Sequence, residues 1–419
     1  MKNKKFLIFI LIFAFHIVLS SSAINAEEAL TLKGALDEAL KSNPEILAAK
    51  RSYEAANARI WQAASLNDPI IEFEYDKITG DRMASGNPMK TYAVSQEVPF
   101  PTKLFLRAKI ASKLARMAYE NYKTKERDII SKVKSAYAEL FIIYRSIDVQ
   151  NENRQILEQF SQVAVPRYAL GKSTQADVLK AQVELARAEN ELIVLEQKRV
   201  TAQARLNTLL NRDPKEEVGL PAPEDAIKFT HSLEDFYVMA KANNPELKAY
   251  KYAIERGKAA YDLSLNEFMP DFMVKFKQMV KRDRVDENAW AGMLGVTVPL
   301  WFFQKEAFGV KEMKSELEMI KAEYKAKENM VLFDIRDSYA RVEASRKLIE
   351  LYTISFIPQA EQTVAASIRG YETEKTDFLS LLDSQRMLIE FRLEYYNAIL
   401  ELRMALADLE RSAGIDVEF

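Results

Sequence analysis

Apolar residues recur along this chain at steps of three and four, over stretches too long for an ordinary domain. Val178, Ala181, Leu185, Ala188, Leu192, Leu195, Ala202, Leu206 and Leu209 form one stripe, with Arg199 as its single polar interruption; Leu388, Phe391, Tyr395, Ala398, Leu402, Ala405 and Leu409 form another. Such stripes are heptad seams, along which one helix packs against a neighbour. Between about 103 and 164 two stripes run side by side, Val133, Ala136, Leu140, Ile143 and Ile147 next to Ile130, Tyr137, Phe141 and Tyr144. That helix needs neighbours on two sides, which suits a closed ring better than an isolated hairpin. At about 1.5 Å per residue, a helix of about 60 residues reaches roughly 90 Å. Arms of that length must project.

In four short places the period switches to two. Ile71, Phe73 and Tyr75 oppose Glu72, Glu74 and Asp76; Phe272, Val274 and Phe276 oppose Met273, Lys275 and Lys277. These are strand signatures, predicted at about 70–76, 91–98, 271–281 and 289–298, with polar loops at 77–90 and 282–288. The whole order occurs twice. Ala39-Leu-Lys-Ser-Asn-Pro-Glu45 returns as Ala240-Lys-Ala-Asn-Asn-Pro-Glu246, Glu97-Val-Pro-Phe100 as Thr297-Val-Pro-Leu300, and the stretch from Tyr168 to Gln182 as Tyr371 to Gln385. Collinear agreement at separate places indicates a tandem duplication.

The first repeat spans 27–211 with a helical hairpin at 103–210. A linker with Pro214, Gly219, Pro221 and Pro223 follows at 212–232, and the second repeat spans 233–419 with a hairpin at 305–412. In each repeat an Asn-Pro pair opens a first helix, because proline is tolerated where its missing N–H has no partner; Pro69 and Pro270 then stop it. The hairpins are expected to break at 165–173 and 370–375, and Pro358 to kink the second arm. The fold class is therefore mainly α with a small β part, a duplicated helix, strand, strand and long helical hairpin.

Composition narrows the setting. Lys2, Lys4 and Lys5 precede an apolar run to about Leu19 and small residues ending at Ala26, the make-up of a secretory signal peptide at 1–26, with cleavage after Ala26 or Ala23. That segment holds three of the 59 basic residues and no acidic one, so the mature chain has 56 against 61, a net charge of −5. Nothing there points to nucleic acid. Cysteine is absent and the two histidines are His16 and His231, which excludes disulfides, a lipidated N-terminal cysteine, His/Cys zinc sites and histidine-based triads. No nucleophile, base or phosphate loop stands out, and neither an enzyme nor a cofactor is expected. No stretch of the mature chain reaches the roughly 18 apolar residues of a spanning helix. Four strands cannot close a membrane barrel, which takes at least about eight; oligomerisation would solve this, and the other reading of the strands is a soluble sheet on a periplasmic coiled-coil scaffold or adaptor without a pore.

The ordered set of motifs, including Gln96-Glu-Val-Pro-Phe-Pro-Thr-Lys103 and Arg167-Tyr-Ala-Leu-Gly-Lys-Ser-Thr-Gln-Ala-Asp-Val-Leu-Lys-Ala-Gln182, resembles the TolC outer-membrane efflux protein family over nearly the whole mature chain. The Gln-Glu-Val-Pro-Phe-Pro-x-Lys stretch is more similar to its heavy-metal branch, the CusC and CzcC type. The resemblance implies a homotrimer whose twelve strands form one barrel in outer-membrane lipid, continued by an α-helical periplasmic barrel. It also implies two partners, a periplasmic adaptor (membrane fusion protein) and an inner-membrane pump of the RND type.

Candidate residues follow. Glu72, Glu74, Lys275 and Lys277 would face the water of a barrel lumen, opposite an apolar, lipid-facing set. The hairpin tips would dock an adaptor through Tyr168, Leu170, Gly171, Lys172 and Ser173 and through Tyr371, Thr373 and Lys375, although turn chemistry alone would choose most of these residues. The resemblance puts the second hairpin inside the tunnel, so Glu374, Asp377 and Glu372 would ring a periplasmic gate; a helix N-terminus also favours acidic side chains. Met83, Met89, Met269, Met273 and Met279 define no chelate and read as gap fillers; no metal site is expected.

Overall fold

The computed structural model describes residues 30–76, 89–223, 231–281 and 289–416. The expected signal peptide and most of the two strand loops lie outside them. The first half of the chain comprises α1 (Leu32–Ser42), α2 (Pro44–Ala64), β1 (Ile70–Asp76), β2 (Met89–Val98), α3 (Pro101–Ala169) and α4 (Gln175–Leu210). The second repeats this order as α5 (Leu233–Asn243), α6 (Pro245–Asn266), β3 (Asp271–Lys281), β4 (Ala289–Thr297), a long arm and α9 (Phe378–Ala413). That arm is α7 (Glu306–Leu351), a π turn (Tyr352–Phe356) and α8 (Ile357–Glu372). At about 1.5 Å per residue, the 69 residues of α3 span on the order of 100 Å.

The Asn-Pro pairs fix the geometry at the base of each hairpin. Asn43 Oδ1 accepts from the Glu45 and Ile46 amides at 2.9 and 3.3 Å, capping α2, while its Nδ2 donates to the Leu209 carbonyl at 2.9 Å. Asn244 repeats this, accepting from Leu247 N at 3.0 Å and donating to the Ser412 carbonyl at 2.8 Å. One amide side chain thus satisfies orphan groups of a helix start and a helix end. Both returning helices then end in the left-handed region, at Asn211 (φ 60°) and Gly414 (φ 73°). Gly414 is required there, since a Cβ would lie 2.8 Å from the Asn243 and Asn244 backbone.

The four strands form one antiparallel sheet in the order β1-β2-β3-β4, with Glu72 opposite Ala93 and Ala93 opposite Lys277. The helices order around α3, which packs against α2, α4, α6 and α9. Its buried Ile129, Val133, Ala136 and Leu140 meet Leu206 and Leu210 of α4, Ala35 and Ala39 of α1, and Ile46 of α2. The fully buried Tyr137 shares its hydroxyl between the Leu30 and Ala222 carbonyls at 2.8 and 2.9 Å. A second core gathers Phe236, Leu247, Ile335 and Leu409, and a third joins the two hairpins near their tips through Leu157, Ala164 and Ala181 with Phe378, Leu381 and Leu382. Each large apolar side chain so buried contributes about 1.5–3 kcal/mol.

The structure corrects several expected boundaries. Helix α3 continues through Pro166 to Ala169 instead of breaking at 165, because a proline this near a C-terminus disturbs only a last-turn hydrogen bond. Helix α8 likewise reaches Glu372 instead of breaking at 370, and α9 begins at Phe378, three residues beyond the end of the expected break at 375, since Asp377 is its cap. Two helices precede each strand pair, not one. The kink assigned to Pro358 is preceded by the π turn, so the backbone slips its hydrogen-bond register just before the residue that cannot donate.

Candidate functional site

Two regions bring the candidate residues together. At the hairpin tips, both turns are Schellman motifs of the same geometry. In the first, Gly171 N donates to Tyr168 O at 2.9 Å and Lys172 N to Arg167 O at 2.8 Å; in the second, Glu374 N donates to Tyr371 O at 3.3 Å and Lys375 N to Gly370 O at 2.8 Å. The left-handed position is Gly171 (φ 72°) in one and Glu374 (φ 60°) in the other. A glutamate there costs about 1–2 kcal/mol relative to glycine. Its carboxylate reaches across to the first tip, 3.3 Å from Lys172 Nζ and 3.6 Å from an Arg167 nitrogen.

Arg167, which the sequence did not single out, stacks its guanidinium 4.5 Å from the Tyr371 ring centroid. Its counterpart in the second tip is Gly370, where a Cβ would collide with Thr376 Oγ1 at 2.1 Å. One tip therefore carries the cation and the other the space for a threonine. Burial pushes the Tyr371 hydroxyl above its ordinary range. Leu170 is 74% exposed, and Tyr168 is half-exposed. Glu372, Thr373 and Lys375 are exposed beside them, with the Thr373 hydroxyl donating to the Arg369 carbonyl at 2.9 Å.

Both returning helices start on an aspartate-assisted cap. Thr174 Oγ1 accepts from Asp177 N at 3.2 Å while Asp177 Oδ2 accepts from Thr174 N at 2.9 Å and from the Ser173 hydroxyl at 3.1 Å, a capping box. Partial burial works to raise the Asp177 carboxyl, but these donors outweigh it and hold it below the usual carboxylate range. Asp377 Oδ1 accepts from Ser380 N at 2.8 Å, and the Ser380 hydroxyl first and this amide second hold its carboxyl below the usual carboxylate range. So the solvated-cap role of Asp377 is real, whatever else it does. Above the tips, α3, α4 and α9 line a groove of about 770 Å³ that includes Gln150, Asn153, Glu184, Gln385 and Arg386.

The second region is the sheet. Glu72, Glu74, Lys275 and Lys277 lie on one face by register, and Lys275 Nζ pairs with Glu72. Ile71, Phe73, Tyr92, Val94, Phe276, Trp290, Leu294 and Val296 lie on the other, all exposed. Among the described residues, β1 and β4 are edges without a partner strand. Where sheet meets helix, Lys103, only 2% exposed, binds Asp271 at 2.9 Å, Glu267 at 3.3 Å and the Met269 carbonyl at 3.0 Å. Partial burial alone would raise the Asp271 carboxyl, but Phe100 N and Lys103 keep it low. Among the described residues no helix is long and apolar enough to cross a membrane, and no group of three or more His, Cys, Asp or Glu is placed to hold a metal ion.

Comparison with known proteins agrees with the fold. The family model described as outer membrane efflux protein matches residues 35–212 and 236–415. The chain is 23% identical over 387 residues to the cobalt-zinc-cadmium resistance protein CzcC of Cupriavidus metallidurans, covering 92% of this chain and 90% of that protein. It is 21% identical to outer membrane protein TolC of Vibrio cholerae over 95% of this chain and 94% of that protein. Among solved structures, CusC superposes with a TM-score of 0.82 at 13% identity, covering 94% of this chain and 96% of that one. VceC from Vibrio cholerae superposes with a TM-score of 0.79 at 17% identity over 92% and 97%.

Proposed function

Because the chain belongs to the outer membrane efflux protein family, we propose that it is the outer-membrane channel of a tripartite efflux system, a passive trimeric duct and not a catalyst. It has a large periplasmic part formed by the helical hairpins and docks there to a periplasmic adaptor and an RND-type inner-membrane pump. The sheet is the observation that carries this reading: one charged face, one exposed apolar face and two open edges. Exposed edges with an apolar face are a liability in water, and three copies joined edge to edge supply the twelve strands that a closed lipid-facing barrel allows. Glu72, Glu74, Lys275 and Lys277 then line its lumen. On fractionation the protein should require detergent for release from the outer membrane and run as a heat-sensitive trimer; release with the periplasmic fraction would return the soluble coiled-coil scaffold.

The tips form the periplasmic mouth. Glu374 is its principal gate carboxylate, with Glu372 and Asp377 on the same rim, and three copies of each concentrate negative charge on the axis. The strained glutamate supports this, because exposed ion pairs return only about 0–1 kcal/mol against the backbone cost. Replacing Glu374 and Asp377 with alanine should raise single-channel conductance about twofold or more; unchanged conductance would remove both from the gate. The adaptor reads Tyr168, Leu170, Gly171, Lys172 and Ser173 on one tip and Tyr371, Thr373 and Lys375 on the other. Among its relatives are a cobalt-zinc-cadmium resistance protein and a toxin and drug export protein; the CzcC likeness favours metal ions as cargo, selected by the pump.

A further inference from the structure

Helix α6 and its duplicate α2 have the same place in their repeats but very different surroundings. α6 lies between α3 and α7 and buries Leu247, Ala249, Ala253, Gly257 and Ala259. α2 touches α3 on one side and buries only Ile46 and Ala56, leaving Leu47 at 52% and Trp61 at 80% exposure. The missing neighbour of α2 is the one that corresponds to α3 on the far side of α6, and that is α7. Within the chain α7 makes no extended contact with α2, yet α7 has an uncovered face of its own: Phe308 is 64% and Met319 53% exposed, whereas Leu106, the counterpart of Phe308, is 7% exposed.

We infer that α2 of one copy packs along α7 of the next copy in the register that α6 and α3 already show within one chain, with Trp61 set against Phe308 and Arg51 against Glu318. The register is read from contacts. α3 and α6 run antiparallel with Thr102 bonded to Asn266, Lys113 to Glu255, and Lys248 facing Glu120. Each step forward on α3 is thus matched by a step back on α6, which puts Leu106 opposite Asp262 and Arg116 opposite Tyr252. The duplication carries these positions over. Tyr122-Lys-Thr-Lys-Glu126 on α3 corresponds to Tyr324-Lys-Ala-Lys-Glu328 on α7, and Asn43-Pro-Glu45 to Asn244-Pro-Glu246; the ion pairs Lys125–Glu45 and Lys327–Glu246 show that the alignment holds in space. Phe308 then takes the place of Leu106, Trp61 that of Asp262, Glu318 that of Arg116 and Arg51 that of Tyr252.

The chemistry at the transferred positions has changed in a matched way. Two large exposed aromatics meet at the top of the seam, and a 70% exposed arginine meets a 61% exposed glutamate three helical turns below. Among the described residues, each charge pairs with a residue three positions away on its own helix, Arg51 with Glu54 and Glu318 with Lys321. Leu47, 52% exposed, lies one turn further along α2, opposite Ala322 in this register. The seam continues the line along which β4 of one copy would meet β1 of the next.

This rests on the trimer proposed above, and the test separates the two. The chain has no cysteine, so a Trp61→Cys/Phe308→Cys variant can be treated in membranes with a short bismaleimide suited to helices about 8–10 Å apart. Most of the monomer band should shift into dimer and trimer, while Trp61→Cys/Met330→Cys, whose second site lies about 33 Å further along α7, should stay monomeric in the gel. A trimeric native mass without the Trp61–Phe308 cross-link overturns the seam and leaves the duct standing; a monomeric native mass overturns both. Independently, Arg51→Glu should lower the temperature at which the trimer dissociates and Arg51→Glu/Glu318→Arg should restore it. Failure of the swap to restore it would remove the ion pair from the seam.

Discussion

The two hairpin tips share a backbone and differ in what they place on it. Both close with the same pair of Schellman hydrogen bonds, yet the left-handed residue is Gly171 in the first and Glu374 in the second. Glycine is the residue local energetics would choose. The second tip gives up that preference and gains a carboxylate beside Lys172 and Arg167 of the first. Duplication keeps geometry and lets chemistry diverge, so the places where the copies disagree mark where their tasks differ.

The sheet-to-helix junctions make the same point with a larger effect. Lys103 is buried among Asp271, Glu267 and the Met269 carbonyl, whereas its counterpart Lys305 is 85% exposed. Lys103→Met should destabilise the folded chain by about 2–4 kcal/mol, since it strands partly buried acceptors, and Lys305→Met by less than about 0.5 kcal/mol. Denaturant melts of both variants in detergent would show equal losses if the copies were equivalent. Next in size, Asn43→Ala and Asn244→Ala should each cost about 1–2 kcal/mol, because each removes a helix cap and a bond to the opposite helix end. A lone effect at one asparagine would break the symmetry claimed for the two bases.

Glu374→Gly sharpens the tip comparison directly. It should stabilise by about 0.5–1 kcal/mol, relief of left-handed strain less a weak exposed ion pair, while Gly171→Glu should destabilise. Opposite signs in thermal melts support the account, and a destabilised Glu374→Gly would show the ion pairs outweigh the strain. The smallest effect concerns pH. Asp177 and Asp377 both have carboxyls depressed below their unfolded values, so their caps contribute fully above the ordinary aspartate range near about 4 and are lost as pH falls through the depressed folded values. Hydrogen exchange in the first turns of α4 and α9 should therefore be protected at pH 6 and faster, relative to the intrinsic rate, at pH 3. Asp177→Asn should flatten that dependence for α4 alone.

Much of this was legible in the sequence because it rests on periodicity and repetition. The alternation of Ile71, Phe73 and Tyr75 with Glu72 and Glu74 gave the strand and its two faces, and the Asn-Pro pairs gave the helix starts. Helices α1 and α5 escaped notice because each is a short run of 11 residues whose patterning merges with the Asn-Pro boundary that follows. The π turn left no trace beyond Pro358, since a slipped hydrogen-bond register needs no special residue. Nor does glutamate signal a left-handed backbone; only alignment of Glu374 with Gly171 exposes it. Docking and gating roles stayed open because tight turns select the same glycines, serines and acids for local reasons.

The central claim is that three chains enclose one water-filled path, and single-channel recording of the full-length protein in a planar bilayer, paired with its native mass in detergent, tests it most directly. The account predicts a trimeric mass and discrete, long-lived conductance steps. A monomeric, detergent-independent species that leaves the bilayer silent would contradict it.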